Sequence, residues 1–347
     1  MQARRVMVRE WDPRTAPSVE IEAVLTTLNA AIATDLPDDP TWRIDSFREY
    51  LAVTMPGERR VCWLAEEEPG ASHHGKPPLG MANIVLVADL GVLEITVDPA
   101  VRRKGIGHEL LGAVAQRAYA EGLPSVAVEV VGDTPAVKFY EHYDFQCAYV
   151  EFRNVLQLST VDWYRLGEMA RGIGSGYRIE YYPGGPPEEL YEAYAEAKAI
   201  VRESYDSSDL ELRPASYDPE RLRASLATLH ARGLRPYIVV GIHEPTGKIA
   251  GLTEVVVAAQ HPSRADQYDT VVVPAHRGYG LGRALKARML FELRSAEPRL
   301  TEVQTWNAFE NEPMLKVNAE LGFEPDRQWS EYEADVAELV RRFDKDD

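Results

Sequence analysis

The sequence has few cysteines, no long apolar run and no excess of positive charge, and each absence excludes a class of protein. Cys62 and Cys147 have no metal-ligand or redox spacing, so we expect two buried thiols and no disulfide. No apolar run approaches the roughly 20 residues that span a bilayer. The N-terminal segment also lacks the apolar stretch of a signal peptide, so we expect a cytoplasmic protein without a membrane partner.

Acidic residues outnumber basic residues, with 55 Asp and Glu against 38 Lys and Arg, and the formal charge is −17. This balance argues against nucleic acid as a partner, because a phosphate backbone is bound by positive surfaces. A cationic small molecule suits the charge better. With 347 residues, of which 45% are hydrophobic and 27% charged, the chain has the composition of a globular protein of about two domains.

The chain contains an internal repeat. The segment Glu-Ile-Thr-Val-Asp-Pro-Ala-Val-Arg-Arg-Lys-Gly-Ile-Gly, which begins at Glu94, is matched by Asp-Thr-Val-Val-Val-Pro-Ala-His-Arg-Gly-Tyr-Gly-Leu-Gly, which begins at Asp269. Further along, residues 133–145 are matched by residues 311–323 at a similar offset. The chain is therefore a tandem duplication with diverged halves.

Both halves show the same order of patterns: helical periodicity, a hairpin, an apolar strand that enters a glycine loop and an amphipathic helix, and then strand, short helix and strand. This order predicts an α/β fold in each half. We expect an N-terminal domain at 1–158, a linker helix and glycine-rich joint at 159–176, and a C-terminal domain at 177–347. The expected state is a monomer with pseudo-dimeric halves or a homodimer.

Each half has a strand that leads through Arg-x-x-Gly-x-Gly directly into a helix. This arrangement brings backbone N–H groups and the positive end of a helix to one point, which suits a phosphate group. In the first half, Arg102, Arg103 and Lys104 add positive charge. Neither loop has the Gly-Lys-Ser/Thr of a P-loop or the third glycine of a dinucleotide-binding loop. Two copies in register favour diphosphate binding by at least one of them.

These motifs resemble the GNAT superfamily of acyl-CoA-dependent N-acetyltransferases, whose central motif is [Arg/Gln]-x-x-Gly-x-[Gly/Ala] after the fourth strand. The resemblance covers both halves. The second half, with His-Arg-Gly-Tyr-Gly-Leu-Gly at 276–282 and Thr-Trp-Asn-Ala-Phe-Glu-Asn at 305–311, looks like tandem GNAT proteins with the architecture of mycothiol synthase. The resemblance implies two tandem domains of mixed α/β fold, each a mostly antiparallel twisted sheet flanked by helices, and acetyl-CoA as the acyl donor.

The resemblance also implies which residues bind acetyl-CoA. The strand would run beside the pantetheine arm and separate from its neighbour there, and the loop with the first helical residues would hold the pyrophosphate. In the first half these residues are Ile95, Thr96, Val97, Arg102, Arg103, Lys104, Gly105, Ile106, Gly107 and His108. In the second half they are Val271, Val272, Arg277, Gly278, Tyr279, Gly280, Leu281, Gly282, Arg283 and Asn311.

Acyl transfer to an amine needs a deprotonated nucleophile, a stabilised oxyanion and a protonated leaving group. The resemblance places Tyr140 where the family keeps the tyrosine that protonates the departing thiolate, whereas the second half has Asn318, which cannot act as an acid. Glu94 is the candidate base, with Asp269 at the equivalent place. The alternatives are that Glu94 anchors the substrate or faces solvent, and that Tyr140 is a core residue.

The sequence thus predicts an N-acetyltransferase that moves an acetyl group from acetyl-CoA to a primary amine of a small molecule by direct attack in a ternary complex, with the N-terminal half catalytic. One alternative is that the C-terminal half is the catalytic one. Another is that both halves form a non-catalytic acyl-CoA-binding module. We expect no metal site, because His73 and His74 lie in a Gly/Pro-rich segment typical of a solvated loop.

Overall fold

The computed structural model describes residues 6–67, 75–204, 218–308 and 311–346. His73 and His74 lie outside these ranges. The chain forms two compact units: unit 1 is Met1–Ala148 with Ser330–Asp347, and unit 2 is Tyr149–Trp329. These units differ from the expected ranges 1–158, 159–176 and 177–347, because residues 149–158 belong to unit 2 and residues 330–347 belong to unit 1. The expected ranges stay a prediction about the repeat copies.

The elements follow the order expected from the sequence, with additional strands at the start of each repeat copy. The elements before residue 158 are β1 (Val6–Trp11), α1 (Ser18–Asp35), α2 (Ile44–Ala52), β2 (Glu58–Glu67), β3 (Gly80–Val87), β4 (Leu90–Val97), α3 (Ile106–Ala120), β5 (Ser125–Val131), α4 (Pro135–His142) and β6 (Gln146–Gln157). Those after it are α5 (Trp163–Arg171), β7 (Tyr177–Pro183), α6 (Tyr191–Ser204), α7 (Pro219–Ala231), β8 (Leu234–His243), β9 (Lys248–Ala258), β10 (Arg264–Val272), α8 (Leu281–Ala296), β11 (Glu302–Ala308), α9 (Glu312–Leu321), β12 (Glu324–Asp335) and α10 (Val336–Asp346).

Unit 1 is built on a mixed sheet. Strands β1 to β4 are antiparallel neighbours, with Gly80 of β3 opposite Val97 of β4. Strand β5 joins β4 in parallel, beginning with Leu90 opposite Ser125, and β12 lies beside β5. A sheet that combines antiparallel strand pairs with a parallel pair is the mixed fold class that we predicted, and it is confirmed.

Helices cover both faces of the sheet in unit 1. On one face, α3 contributes the fully buried Leu110 and Val114, and α10 adds Val336 to the same cluster. On the other face, α1 and α2 contribute Ile21 and Phe47. Because β3 is covered on both sides, its sequence is almost uninterruptedly apolar.

Unit 2 repeats this plan. Strands β7 to β10 are antiparallel neighbours, β11 pairs with β10 in parallel, and β6 pairs with β11 in antiparallel register. Helix α8 covers one face with Leu285 and Leu290, and α6 and α7 cover the other with Tyr194 and Leu222. Within the described ranges, none of the helices combines the length and apolarity that a membrane crossing requires.

Candidate active site

The two glycine loops have the same backbone shape. In unit 1, Arg103 and Gly105 have φ of +63° and +85°, and α3 begins at the next residue. In unit 2, Gly278 and Gly280 have φ of +85° and +76°, and α8 begins at the next residue. Each loop therefore delivers the chain into a helix N-terminus through two left-handed residues, and such an N-terminus attracts anions. Of these four loop residues, Arg103 is the one that is not glycine.

Replacing Arg103 separates backbone strain from positive charge. Arg103→Gly is expected to raise the free energy of unfolding by about 1 kcal/mol, because a left-handed residue with a Cβ costs about that much. The same change removes a cation and is expected to weaken acetyl-CoA binding. Arg103→Ala is the matched control: it loses the charge but keeps the strain. Equal stability of the two variants in urea unfolding would contradict the strain argument.

The parallel strands separate several residues before each loop. Strand β4 pairs with β5 only from Leu90 to Val92 among the described residues, and β10 pairs with β11 only from Arg264 to Gln267. Beyond these points β4 and β10 continue toward their loops. The separation leaves an open edge beside residues 95–97 in unit 1, where the resemblance expects the pantetheine arm.

A cavity of about 750 Å³ opens at this separation in unit 1. Of the ten predicted cofactor residues of the first half, all except Lys104 line it, and Tyr140 lines it as well. Sequence reasoning missed the walls that come from α1 and from the α4 segment. These additional lining residues are Ala31, Asp35, Pro135, Ala136, Lys138, Phe139, His142 and Tyr143. The aromatic run Phe-Tyr-Glu-His-Tyr at 139–143 was the available signal for the α4 wall.

Arg102 has a different role from the one its charge suggested. Its Nη1 and Nη2 donate to the two carboxylate oxygens of Asp35 at 2.8 and 2.6 Å, and its Nε donates to the carbonyl oxygen of Val97 at 3.2 Å. Both charged side chains are about three-quarters buried. Arg102 therefore ties the loop to the end of α1 and to β4, and Arg103 is the cation of this loop that lines the cavity without such a bidentate partner.

Asp35→Asn tests whether this ion pair holds the loop. We expect the KM for acetyl-CoA to rise about tenfold, equivalent to about 1.4 kcal/mol, because the loop loses a bidentate contact. The measurement is initial rates against acetyl-CoA concentration, with Asp45→Asn, an exposed site on α2, as the charge-matched control. A lower KM would show instead that Asp35 competes with phosphate for Arg102.

An aromatic cluster closes the cavity wall at the start of α3. His108 Nδ1 and the Tyr143 hydroxyl are joined by a hydrogen bond of 2.8 Å. Tyr143 stacks on Phe343 of α10 with ring centres 5.5 Å apart, and Phe343 also lies 4.8 Å from the His108 ring. The last helix of the chain thus supports the wall that the loop and α4 form.

Tyr140 lies on α4 and is 3% exposed. Its ring makes edge contacts with Phe139 and Phe145, each with ring centres 5.1 Å apart. Burial, and then the negative charge of Glu94, raise the pKa of Tyr140 above its usual value. Tyr140 is therefore a core residue and a cavity residue at once, with its proton held firmly at neutral pH.

Glu94 is exposed and lies on the face of β4 opposite to Leu93 and Ile95, which pack against α3. Its carboxylate takes part in a hydrogen-bonded network. The Tyr50 hydroxyl donates to Oε1 at 2.5 Å and Asn83 Nδ2 donates to Oε2 at 2.8 Å. Arg60 donates to Asn83 Oδ1 at 3.0 Å and stacks over the Tyr50 ring. Burial, followed by the Glu94 charge, raises the pKa of Tyr50, so Tyr50 stays a donor that fixes the carboxylate.

The cysteines differ from each other. Cys62 is 2% exposed, and burial raises the pKa of its thiol to about 12, which makes it unreactive at neutral pH. Cys147 is exposed. The expectation that both thiols are buried is therefore wrong for Cys147, whose side chain points away from the core although Phe145 beside it is buried.

In unit 2 the predicted residues are partly engaged elsewhere. The carbonyl oxygen of Gly172 lies 3.4 Å from where a Cβ of Gly280 would be, so the joint before β7 packs against this loop. Arg277 repeats the contact of its counterpart, with Nε donating to the Val272 carbonyl oxygen at 3.1 Å. Arg283 Nη1 pairs with Glu320 at 3.1 Å.

The remaining unit 2 candidates have structural contacts. Asn311 caps α9 by accepting from the Met314 backbone N–H at 3.4 Å. Asp269, the counterpart of Glu94, is held by Lys198 Nζ at 2.8 Å, and the same amine lies 2.8 Å from Glu254. The carboxylate in unit 2 is therefore neutralised by a lysine, whereas the one in unit 1 is held by neutral donors.

Comparisons with known proteins agree with this geometry. The profile described as the "Acetyltransferase (GNAT) family" matches residues 25–145. A mycothiol acetyltransferase of Clavibacter sepedonicus is 31% identical over 252 residues, which are 71% of this chain and 73% of the relative. The chain belongs to the GNAT acetyltransferase family and is an N-acetyltransferase.

A further relative and a solved structure match both halves of the chain. A mycothiol acetyltransferase of Rhodococcus erythropolis (strain PR4) is 27% identical over 271 residues, which are 74% of this chain and 82% of the relative. A solved tandem GNAT protein from the clavulanic acid biosynthesis pathway has a TM-score of 0.79 at 24% identity and covers 96% of this chain and 99% of its own. The tandem GNAT architecture predicted from the repeat is therefore confirmed.

Proposed function

We propose that unit 1 is the catalytic centre and that it transfers an acetyl group from acetyl-CoA to a primary amine of a small molecule. The observation that carries this proposal is the cavity that joins the glycine loop, the separated strand and Tyr140. Its volume of about 750 Å³ lies in the range of cofactor sites. The names of the curated relatives support a small-molecule acceptor.

The lining of the cavity fits acetyl-CoA. The N-terminus of α3 with Arg103 would hold the pyrophosphate, and residues 95–97 would hold the pantetheine arm through their backbone. When bound, acetyl-CoA supplies an activated thioester carbonyl, so no covalent enzyme intermediate is needed. Unit 1 contributes proximity and proton transfer.

We assign each of the two proton transfers, from the ammonium and to the thiolate, to a residue of unit 1. An alkylamine has a pKa near 10, so it arrives as ammonium and must lose a proton before it attacks. Glu94, fixed by Tyr50 and Asn83, accepts that proton directly or through water. Tyr140 keeps its own proton at neutral pH because its pKa is raised, and it donates that proton to the departing thiolate.

Glu94→Gln tests the base. The amide keeps the shape and the contact with Asn83 but cannot accept a proton, so we expect kcat to fall about 100-fold or more at neutral pH. Less of the loss is expected at pH values near the pKa of the amine, where the acceptor is already neutral. The measurement is release of CoA thiol with a panel of small primary amines. A raised KM for the amine with unchanged kcat would make Glu94 an anchor instead.

Acetyl-CoA binding to each unit can be counted by native mass spectrometry. Gly107→Glu and Gly282→Glu each place a carboxylate beside one proposed phosphate site, so each is expected to remove one bound molecule where a site exists. Loss of binding with Gly107→Glu supports the proposal. Loss only with Gly282→Glu would assign the reaction to the C-terminal half. Tight binding without thiol release from any amine would favour a non-catalytic acyl-CoA-binding module.

A further inference from the structure

Lys286 is enclosed in unit 2 at a position where unit 1 has leucine. The repeat aligns Leu281 with Ile106, so Lys286 of α8 corresponds to Leu111 of α3. Leu111 is 0% exposed and Lys286 is 1% exposed. Burying an ammonium group inside a protein costs roughly several kcal/mol. Lysine is therefore almost never fully buried without a partner. Packing alone does not explain a lysine here.

The amine of Lys286 lies on the residue that replaces the catalytic tyrosine. Asn318 corresponds to Tyr140, and Lys286 Nζ donates to Asn318 Oδ1 at 2.6 Å. The amine is 5.0 Å from the ring centre of Phe323. In unit 1 the corresponding Phe145 has the Tyr140 ring centre at 5.1 Å. The amine of Lys286 thus lies about as far from the Phe323 ring as the Tyr140 ring lies from the Phe145 ring in unit 1.

The surroundings of this amine are polar where those of Tyr140 are apolar. Asn318 Nδ2 donates to Oδ1 of Asn307, which stands in β11 at the position of Val130 in β5. Gln267, the last residue of β10 that pairs with β11, is 3% exposed, and its Oε1 has no hydrogen-bond partner in the described part of the chain. Polar groups therefore line the point where the strands of unit 2 separate.

We propose that Lys286 is the proton donor to a thiolate in unit 2, which makes this unit a second acyl-thioester site. The inference rests on the proposed use of acetyl-CoA. Lys286, as ammonium, gives one proton to the sulfur that leaves with the electron pair of the C–S bond, and becomes a neutral amine. The acceptor nitrogen forms the C–N bond and passes its proton to solvent water. The products are an amide and CoA thiol, and solvent returns a proton to Lys286.

The acidity of the group suits this step. Burial lowers the pKa of Lys286 to about 7, so both forms are present at neutral pH. A CoA-type thiol has a pKa near 8.5, so the ammonium is the stronger acid of the two. Lys286 and Asn318 lie on α8 and α9, and the charged residues Arg283 of α8 and Glu320 of α9 form an ion pair with each other rather than with Lys286. The proton of Lys286 is therefore available to a thiolate.

The test observes Lys286 itself, with free CoA and dethio-CoA as probes. Protein with lysine labelled with carbon-13 at Cε is titrated with pH by NMR, and the Lys286 signal is the one lost in Lys286→Met. We expect bound CoA to shift the titration midpoint by about one pH unit, a tenfold change in the protonation equilibrium, because the amine and the sulfur then share one proton. Dethio-CoA, which lacks the sulfur, is expected to leave the midpoint unchanged.

Controls make each outcome decisive. Lys248→Met, at an exposed ion pair of the same unit, should remove a different signal only. If Lys286→Met does not fold, Lys286→Leu combined with Asn318→Tyr restores the pair found in unit 1 and serves the same assignment. Equal response to CoA and dethio-CoA, or no response to either while native mass spectrometry counts bound CoA, overturns the inference. Absence of any bound CoA would overturn the proposed cofactor as well.

Discussion

Tyr140→Phe is expected to lower kcat by about 100-fold to 10,000-fold, the usual contribution of a positioned proton donor, and to leave the affinity for acetyl-CoA unchanged. The change removes one oxygen from a residue that is 3% exposed and keeps both of its ring contacts. Without the hydroxyl, the thiolate must leave unprotonated or wait for water. The measurement is CoA thiol release at saturating acetyl-CoA, with cofactor binding measured separately.

Tyr119→Phe is the matched control, because Tyr119 is 59% exposed on α3 and lies outside the cavity lining. The pH profile adds a second criterion. Since the pKa of Tyr140 is raised above its usual value of 10, activity should not fall through ionisation of this residue below that pH. Full turnover by Tyr140→Phe would mean that Tyr140 is only a core residue, which packs against Phe139 and Phe145.

Lys286→Met is expected to change how the stability of the protein depends on pH. The folded protein releases the Lys286 proton near pH 7, whereas the unfolded chain keeps it until about pH 10.4. Between these values the unfolded chain binds more protons, so the wild type gains stability relative to the variant as pH rises. One proton is equivalent to about 1.4 kcal/mol per pH unit, which gives about 4 kcal/mol from pH 7 to pH 10.

The quantity to measure is the difference in free energy of unfolding between wild type and Lys286→Met, by urea denaturation at several pH values. Other titrating groups are common to both proteins, so their contributions cancel in the difference. Lys248→Met, whose amine is exposed, should show no such slope. A pH-independent difference would mean that Lys286 keeps an ordinary pKa in the folded protein, and the argument from its burial would fail.

Local sequence was sufficient for the parts of the site that lie within one segment. The glycine loops, the strands before them and the helices after them follow from spacing that spans a few residues, whereas Tyr140, which lines the cavity, was indicated by the resemblance to the family. Contacts between distant segments could not be predicted in this way. Asp35 and Arg102 are 67 positions apart, and no pattern in either segment indicates their bidentate pairing.

Two other features were hidden for different physical reasons. Lys286 belongs to an amphipathic helix, where a lysine normally marks the solvent side, and only the packing of α8 shows that it is enclosed. Cys147 lies two residues after a buried phenylalanine, yet the first three residues of β6, Gln146 to Ala148, are all exposed. Sequence periodicity shows which residues share a face of a helix or strand. Whether that face is buried depends on the elements that pack against it.

The return of the chain to unit 1 sets the order in which the protein can be completed during synthesis. The ribosome makes Met1–Ala148 before unit 2 and Ser330–Asp347 after it, although both segments belong to one compact unit. Until residues 330–347 emerge, α3 lacks Val336 and the aromatic cluster lacks Phe343. Domains made in one continuous piece fold as they leave the ribosome, but the catalytic unit proposed here must wait for unit 2 to be translated. A chain that is interrupted before residue 330 therefore contains both glycine loops, but its unit 1 is incomplete.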